Sequence, residues 1–148
     1  MNPYLGLKYA HILIAILALG TGAAVGILAG FFGDDATHGA FVLRLSRKLL
    51  HWVVLPGYAL MLATGMWMGH LADLLDARWT EAAMNLWGVG ALFYALFAIL
   101  LRRRITLWET VGPASPGYRR AAWLSSCCGG AAGIVILIIL GFMTFKPA

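Results

Sequence analysis

Charge is what this chain most lacks. Of its 148 residues only 11% are Asp, Glu, Lys or Arg, while 61% are apolar, and the mean hydropathy is +0.83. A water-soluble domain carries roughly a quarter of its residues as charged side chains. So sparse a supply cannot cover a surface that faces water, which excludes an ordinary soluble globule. Cysteine is nearly absent as well: there are two, Cys127 and Cys128, and they are adjacent. Neighbours on a helix point about 100° apart, so the pair neither forms a CxxC metal motif nor converges on one ion. They read as small packing residues. No internal repeat, P-loop, GxGxxG, HExxH or nucleophile elbow occurs. The formal net charge of +5 does not indicate nucleic acid, because the arginines do not interleave with aromatics on any polar face.

What the chain does have is long apolar runs. A helix needs ~20 mostly apolar residues to cross the hydrocarbon core, and four windows meet that length: about 4–32, 49–69, 81–101 and 121–142. Backbone groups in lipid must be satisfied within their own segment, so these are helices and not strands. The expected fold is all-α, a transmembrane four-helix bundle forming a single domain over 1–148. The first run has no basic leader and no clean cleavage site, so it reads as a span and not as a signal peptide. Of the 11 basic residues, Arg44, Arg47, Lys48, Arg102, Arg103, Arg104, Arg119 and Arg120 flank the first and third loops. Only Lys8, Arg78 and Lys146 lie at the termini or the second loop. Basic residues stay on the cytoplasmic side, which puts both termini outside, on the periplasmic face of a bacterial inner membrane.

Small residues mark the expected helix contacts. Gly22, Gly26 and Gly30 recur every fourth residue on the first span, and Gly129 and Gly133 do so on the fourth. Such rows let backbones approach closely in lipid. They predict that spans one and four pack together, or that they mate with other membrane subunits. In the first loop, Ala40–Lys48 is amphipathic and should extend the second span into the headgroup zone. Pro56 should bend that span by depriving the Trp52 carbonyl of its partner. Met61, Met66 and Met68 do not share one helix face and read as flexible filling. The third loop is expected to run from Arg102 to Arg120, with its arginines resting on anionic lipid.

An ionisable group inside the membrane is a functional candidate by default. His38 reads as a solvated loop residue, and His51 lies close to the inner surface beside Arg47 and Lys48. His11 stands ~10 Å below the outer surface by helix rise, sharing one face with Tyr4 and Lys8. Its sharp reading is axial ligation of haem iron, imidazole being the usual proximal ligand and a helical bundle offering an apolar slot. Lys8 and Lys146 would then meet the propionates. Met61, ~13 Å below the outer end of its span, or His70 could supply a second ligand; a five-coordinate iron is the other option. Two sites, His11/His70 outside and His38/His51 inside, would form a dihaem wire. Asn85, the polar side chain of note in the third span, reads as a helix–helix bond or a ligand contact. Together with Trp67 and Met61 it would border the pocket.

Short motifs add a resemblance. Leu7-Lys8-x-x-His11, Ala63-Thr64-Gly65-Met66-Trp67, Pro116-Gly117-Tyr118-Arg119-Arg120 and Phe145-Lys146-Pro147 resemble a family of small bacterial four-helix inner-membrane proteins of unassigned activity. That family is similar in layout to the haem-dependent membrane protoporphyrinogen oxidases and, more distantly, to CopD-type copper-resistance membrane proteins. In the oxidases a helix-one histidine and a helix-three lysine are functional. His11 matches the first, whereas the third span here has Asn85 and no lysine. Three functions follow as expectations: a b-type haem protein with a redox or electron-transfer role, a cofactor-free accessory subunit of a larger membrane complex, and the handling of copper or another metal.

Overall fold

The computed structural model describes residues 3–145, and Lys146 lies outside the described residues. Among the described residues every regular element is helical. Helix α1 (Pro3–Ile27) continues through a π turn, Leu28–Phe32; α2 (Gly39–Leu49) runs through a second π turn, Leu50–Val54, into α3 (Leu55–Leu71); α4 spans Arg78–Val111 and α5 spans Pro116–Phe145. These make four rods of 29, 33, 34 and 30 residues, each apolar and long enough to cross a membrane. At ~1.5 Å per residue they reach ~45–50 Å, beyond a hydrocarbon core of ~30 Å.

The rod ends follow from backbone chemistry more than from charge. The amphipathic stretch after the first loop does extend the second rod, which starts at Gly39. Pro56 has no N–H to donate and its ring crowds the carbonyl four residues back. The rod responds by widening: the Leu55 N–H bonds the Leu50 carbonyl, five residues back, across the π turn. The long third loop expected over Arg102–Arg120 is corrected, because α4 runs through all three arginines to Val111. Arginine and leucine are good helix formers, and a run of positive charge does not end a helix. Gly112 ends it, at φ 82°, where a side chain would be strained, and its N–H closes on the Leu107 carbonyl at 3.1 Å. Pro116 then opens α5, with the Ser115 hydroxyl accepting the Tyr118 N–H at 3.2 Å.

Packing pairs the rods unequally. α4 lies along α5, and α1 lies along α3, whereas α1–α5 and α3–α4 touch sparsely. The expected meeting of the two glycine rows does not occur. Gly22 lies under the Tyr94 hydroxyl and Val54, and Gly129 lies under the Phe97 ring, while Gly26, Gly30 and Gly133 meet nothing within 4 Å. The two contacting glycines each make room for an aromatic side chain of α4 instead of for one another. One glycine of each row therefore serves aromatic packing within the chain, and part of the α1 row faces outward.

The four rods run up and down, so one end of the bundle gathers the start of α1, the end of α3, the start of α4 and the end of α5. The opposite end gathers the end of α1, α2, the end of α4 and the start of α5. Most of the buried side chains belong to the middle and the second end, including Val25, Leu43, Leu50, Phe97, Leu101 and Tyr118. The first end has only a small core of Ala83, Val135 and Ile139. One half of the bundle is filled, and the other is split.

Candidate functional site

The split half holds a cavity of about 690 Å³ lined from α1, α3, α4 and α5. Its walls are almost wholly apolar, with His11, Lys8 and Thr80 among the few polar residues. Ligand cavities typically hold ~300–1,000 Å³, so the space suits an organic cofactor better than a lone ion.

His11 is fixed in the wall by α3. Its Nδ1 lies 2.7 Å from the Thr64 hydroxyl, and that hydroxyl in turn lies 2.7 Å from the Leu60 carbonyl. A hydroxyl has one proton, and a mid-helix threonine gives it to the carbonyl four residues back. With its proton on the Leu60 carbonyl, Thr64 accepts from the Nδ1–H tautomer of His11, the tautomer in which Nε2 is a bare lone pair. No bond to Nε2 exists among the described residues. Gly65 lies beside the ring, where a Cβ would stand 3.4 Å from His11 Cε1, an ordinary packing distance. An imidazole whose one nitrogen is tied by a hydrogen bond, with the other left basic, is how proteins orient a metal-binding histidine.

Several predicted site residues meet here and others do not. Lys8, one turn from His11 on α1, and Met61, one turn from Thr64 on α3, both line the cavity. Met66, Met68, Met84 and Met143 line it too, so all five described methionines border one space, although they share no single helix face. His70 and Asn85 are exposed and lie outside the lining. Trp67 borders a smaller groove with Gly6, Leu7 and Leu71. Sequence reasoning missed Thr64, and it missed Trp87 as well. The Trp87 ring stacks on Tyr58 with centroids 4.9 Å apart, the Tyr58 hydroxyl donates to the Trp87 carbonyl at 3.1 Å, and the indole Nε1 is buried without a partner. An orphaned donor in a cavity wall is unusual enough to mark the place.

The residues present fit a porphyrin: a basic Nε2, thioethers as a second soft donor, a cationic Lys8 for a carboxylate, and apolar walls of sufficient volume. Among the described residues there is no group of three or more His, Cys, Asp or Glu placed to hold a bare ion.

The filled half has a second polar cluster that the sequence reading placed at the lipid surface. Arg102 and Arg103 are exposed, but Arg104 is 1% exposed and is the largest fully buried side chain. Its Nε donates to the Tyr118 hydroxyl at 2.9 Å, Nη1 to the Ala29 carbonyl at 2.8 Å and Nη2 to Asp34 Oδ1 at 2.5 Å. The Tyr118 hydroxyl lies 2.8 Å from the Gly33 carbonyl and 2.7 Å from Asp34 Oδ1. The guanidinium thus closes the carbonyl end of α1, where a cation also meets the negative end of the helix dipole. Gly33 is obligatory, because a Cβ there would lie 2.5 Å from Arg104 Nη2. The buried spacing Leu101, Arg104, Ile105, with half-buried Trp108, is a helical stripe. That stripe is the signal that could have separated Arg104 from its neighbours.

His38 and His51 are both exposed. The Asp35 carboxylate accepts the backbone N–H groups of His38 at 2.6 Å and Thr37 at 3.0 Å, closing the turn after α1. Those two bonds, that of His38 above all, hold the Asp35 carboxyl below its ordinary value.

Compared with known protein families, residues 5–147 match the family described as "Predicted integral membrane protein (DUF2269)". No curated protein and no solved structure matches the chain. The likeness in layout to protoporphyrinogen oxidases and copper-resistance proteins therefore rests on the short motifs alone.

Proposed function

The chain belongs to that family of predicted integral membrane proteins, and on that premise we propose that it is a b-type haem-binding protein of the bacterial inner membrane with a redox role. The charge asymmetry of the loops supports an orientation with both termini, and the His11 cavity, on the outer side. The observation that carries the reading is the Thr64–His11 bond at 2.7 Å, which in the Nδ1–H tautomer leaves Nε2 basic beside a large apolar space. Haem bound there would supply one-electron chemistry. The chain's own part is to hold the imidazole in one tautomer, to exclude water and to meet carboxylates with Lys8. Met61 lines the same cavity and is the second donor this reading favours; His70, outside the lining, becomes less suitable.

The test is an absorption spectrum of the purified protein after expression with adequate haem supply. A Soret band is expected, and it should vanish in His11→Ala while the protein level persists. A protein that stays colourless and takes up no haemin in lipid nanodiscs would overturn the reading.

A second reading has its own observation. The five described methionines and His11 border one cavity, and thioether with imidazole selects a soft cation such as Cu(I). Elemental analysis of the same preparation separates this from haem. The accessory-subunit reading is supported by Gly26 and Gly30, which meet nothing within 4 Å and leave small-residue surface free for a foreign helix. Stoichiometric co-purification with other subunits is its signature.

A further inference from the structure

A cavity inside a membrane bundle is reached either from water at its end or from lipid at its side, and its borders decide between them. At the His11 end the turn between α3 and α4 lies over the cavity. Leu74 from that turn lines the cavity, together with Trp79 and Thr80 at the start of α4. The turn is fastened at three points. The Leu74 N–H donates to the Gly69 carbonyl at 2.9 Å, the Thr80 hydroxyl donates to the Leu74 carbonyl at 2.7 Å, and Leu75 packs so tightly on Gly69 that a Cβ there would lie 2.7 Å from it. This is a roof, and it closes the water side over α3 and α4.

The side between α1 and α5 is different. The cavity-lining residues Ile12 and Ile16 of α1 are 46% and 63% exposed, and Leu140 and Met143 of α5 are 39% and 38% exposed. They line the interior and face outward at once, as the jambs of a slot must. α1–α5 and α3–α4 both touch sparsely, and Met66 of α3 and Met84 of α4 also line the cavity while 43% and 39% exposed, but α3 and α4 are bridged in addition by the roof and by the Tyr58–Trp87 stack. Exposed isoleucine, leucine and methionine in a chain of membrane-spanning rods face acyl chains.

Resting on the haem reading, we propose that the His11 cavity is filled from the bilayer: a porphyrin dissolved in the lipid enters edge-on between α1 and α5, past Ile16 and Leu140. The slot is apolar, which suits the porphyrin body. Lys8 lies at the end of the cavity nearer the surface, where the carboxylates of a porphyrin oriented in a bilayer also lie.

The test uses the full chain in lipid vesicles with a small apolar diazirine dissolved in the bilayer, photolysed and mapped by mass spectrometry. Label is expected on the cavity residues Ala15 and Met61 as well as on the lipid-facing Leu17 and Trp123. The paired substitution Ile16→Trp and Leu140→Trp, both at outward-facing positions, should cut the cavity label severalfold and leave Leu17 and Trp123 unchanged. Ile16→Ala with Leu140→Ala should raise it. Haemin added to the vesicles should suppress the cavity label alone. Cavity residues that stay unlabelled while Leu17 and Trp123 react would overturn the proposal. So would labelling that ignores the slot variants and rises instead when the roof is loosened by Thr80→Ala. A cavity label that follows the slot but is untouched by haemin keeps the lipid-side entrance and removes the porphyrin, which is the failure of the haem reading alone.

Discussion

The two ends of this bundle each hold one ionisable side chain that a membrane should not welcome, and they treat it in opposite ways. Arg104 uses all three guanidinium nitrogens on partners from α1, the following turn and α5. His11 uses one ring nitrogen, on Thr64, and keeps the other free beside a cavity. A buried charge removed from water costs several kcal/mol unless its hydrogen-bonding capacity is met. The saturated group is therefore a fastener, and the half-satisfied group is the candidate site. In a chain without recognisable catalytic motifs, the unspent valence is the better guide to function than the charge itself.

Breaking the saturated end should have the largest effect. Arg104→Met leaves the Ala29 carbonyl, the Asp34 carboxylate and the Tyr118 hydroxyl without their cation in the best-packed part of the molecule. Removing one partner of a buried charged network costs ~3–5 kcal/mol, so reversible unfolding in mixed micelles should show a loss of that order. Arg104→Lys should recover little of it, because an ammonium cannot span three partners with the geometry of a planar fork. A variant as stable as the parent would place the fastening elsewhere and dissolve the contrast.

Breaking the other end should separate stability from function. In His11→Ala, Thr64 keeps its bond to the Leu60 carbonyl, so only one interhelical hydrogen bond is lost, worth ~0.6 kcal/mol in a membrane bundle. Unfolding should therefore change little while haem uptake is abolished. A loss of stability comparable to that of Arg104→Met would make His11 a second fastener and not a site.

The four spans were legible because nothing else explains long apolar runs in a chain so poor in charge. The rod ends were less legible, since Arg102–Arg104 look like a loop until Gly112 is recognised as the stop, at φ 82°. Arg104 was hidden among like neighbours, and only the stripe it shares with Leu101, Ile105 and Trp108 distinguishes it. His11 stood out as a lone imidazole in an apolar run. Thr64 did not, because a hydroxyl on a membrane helix ordinarily serves its own backbone and leaves no periodic trace. The methionines were judged one helix at a time, whereas the cavity draws on three helices for them. Periodicity reports which face a residue occupies, but not which faces from distant segments meet.

The finest contrast lies within the filled end, between adjacent acids. Asp34 belongs to the Arg104 cluster, and Asp35 only closes the turn by accepting two backbone N–H groups. Because those bonds lower the folded-state pKa of Asp35, its contribution is present above the unfolded pKa and is lost as pH falls through the folded value. Asp35→Asn should therefore remove a small pH dependence confined to the acid side of the ordinary carboxylate range, and leave stability at neutral pH almost unchanged, since the carboxylate is solvated and its amide replacement still accepts a hydrogen bond. Asp34→Asn takes the charge from the partner of a buried guanidinium and should destabilise at neutral pH. Hydrogen exchange at the Thr37 and His38 amides, followed between neutral and acid pH in both variants, measures the difference. Equal behaviour of the two would mean that the Arg104 network does not depend on the charge of Asp34, and that the backbone carbonyls of Ala29 and Gly33 carry the fastening with Tyr118.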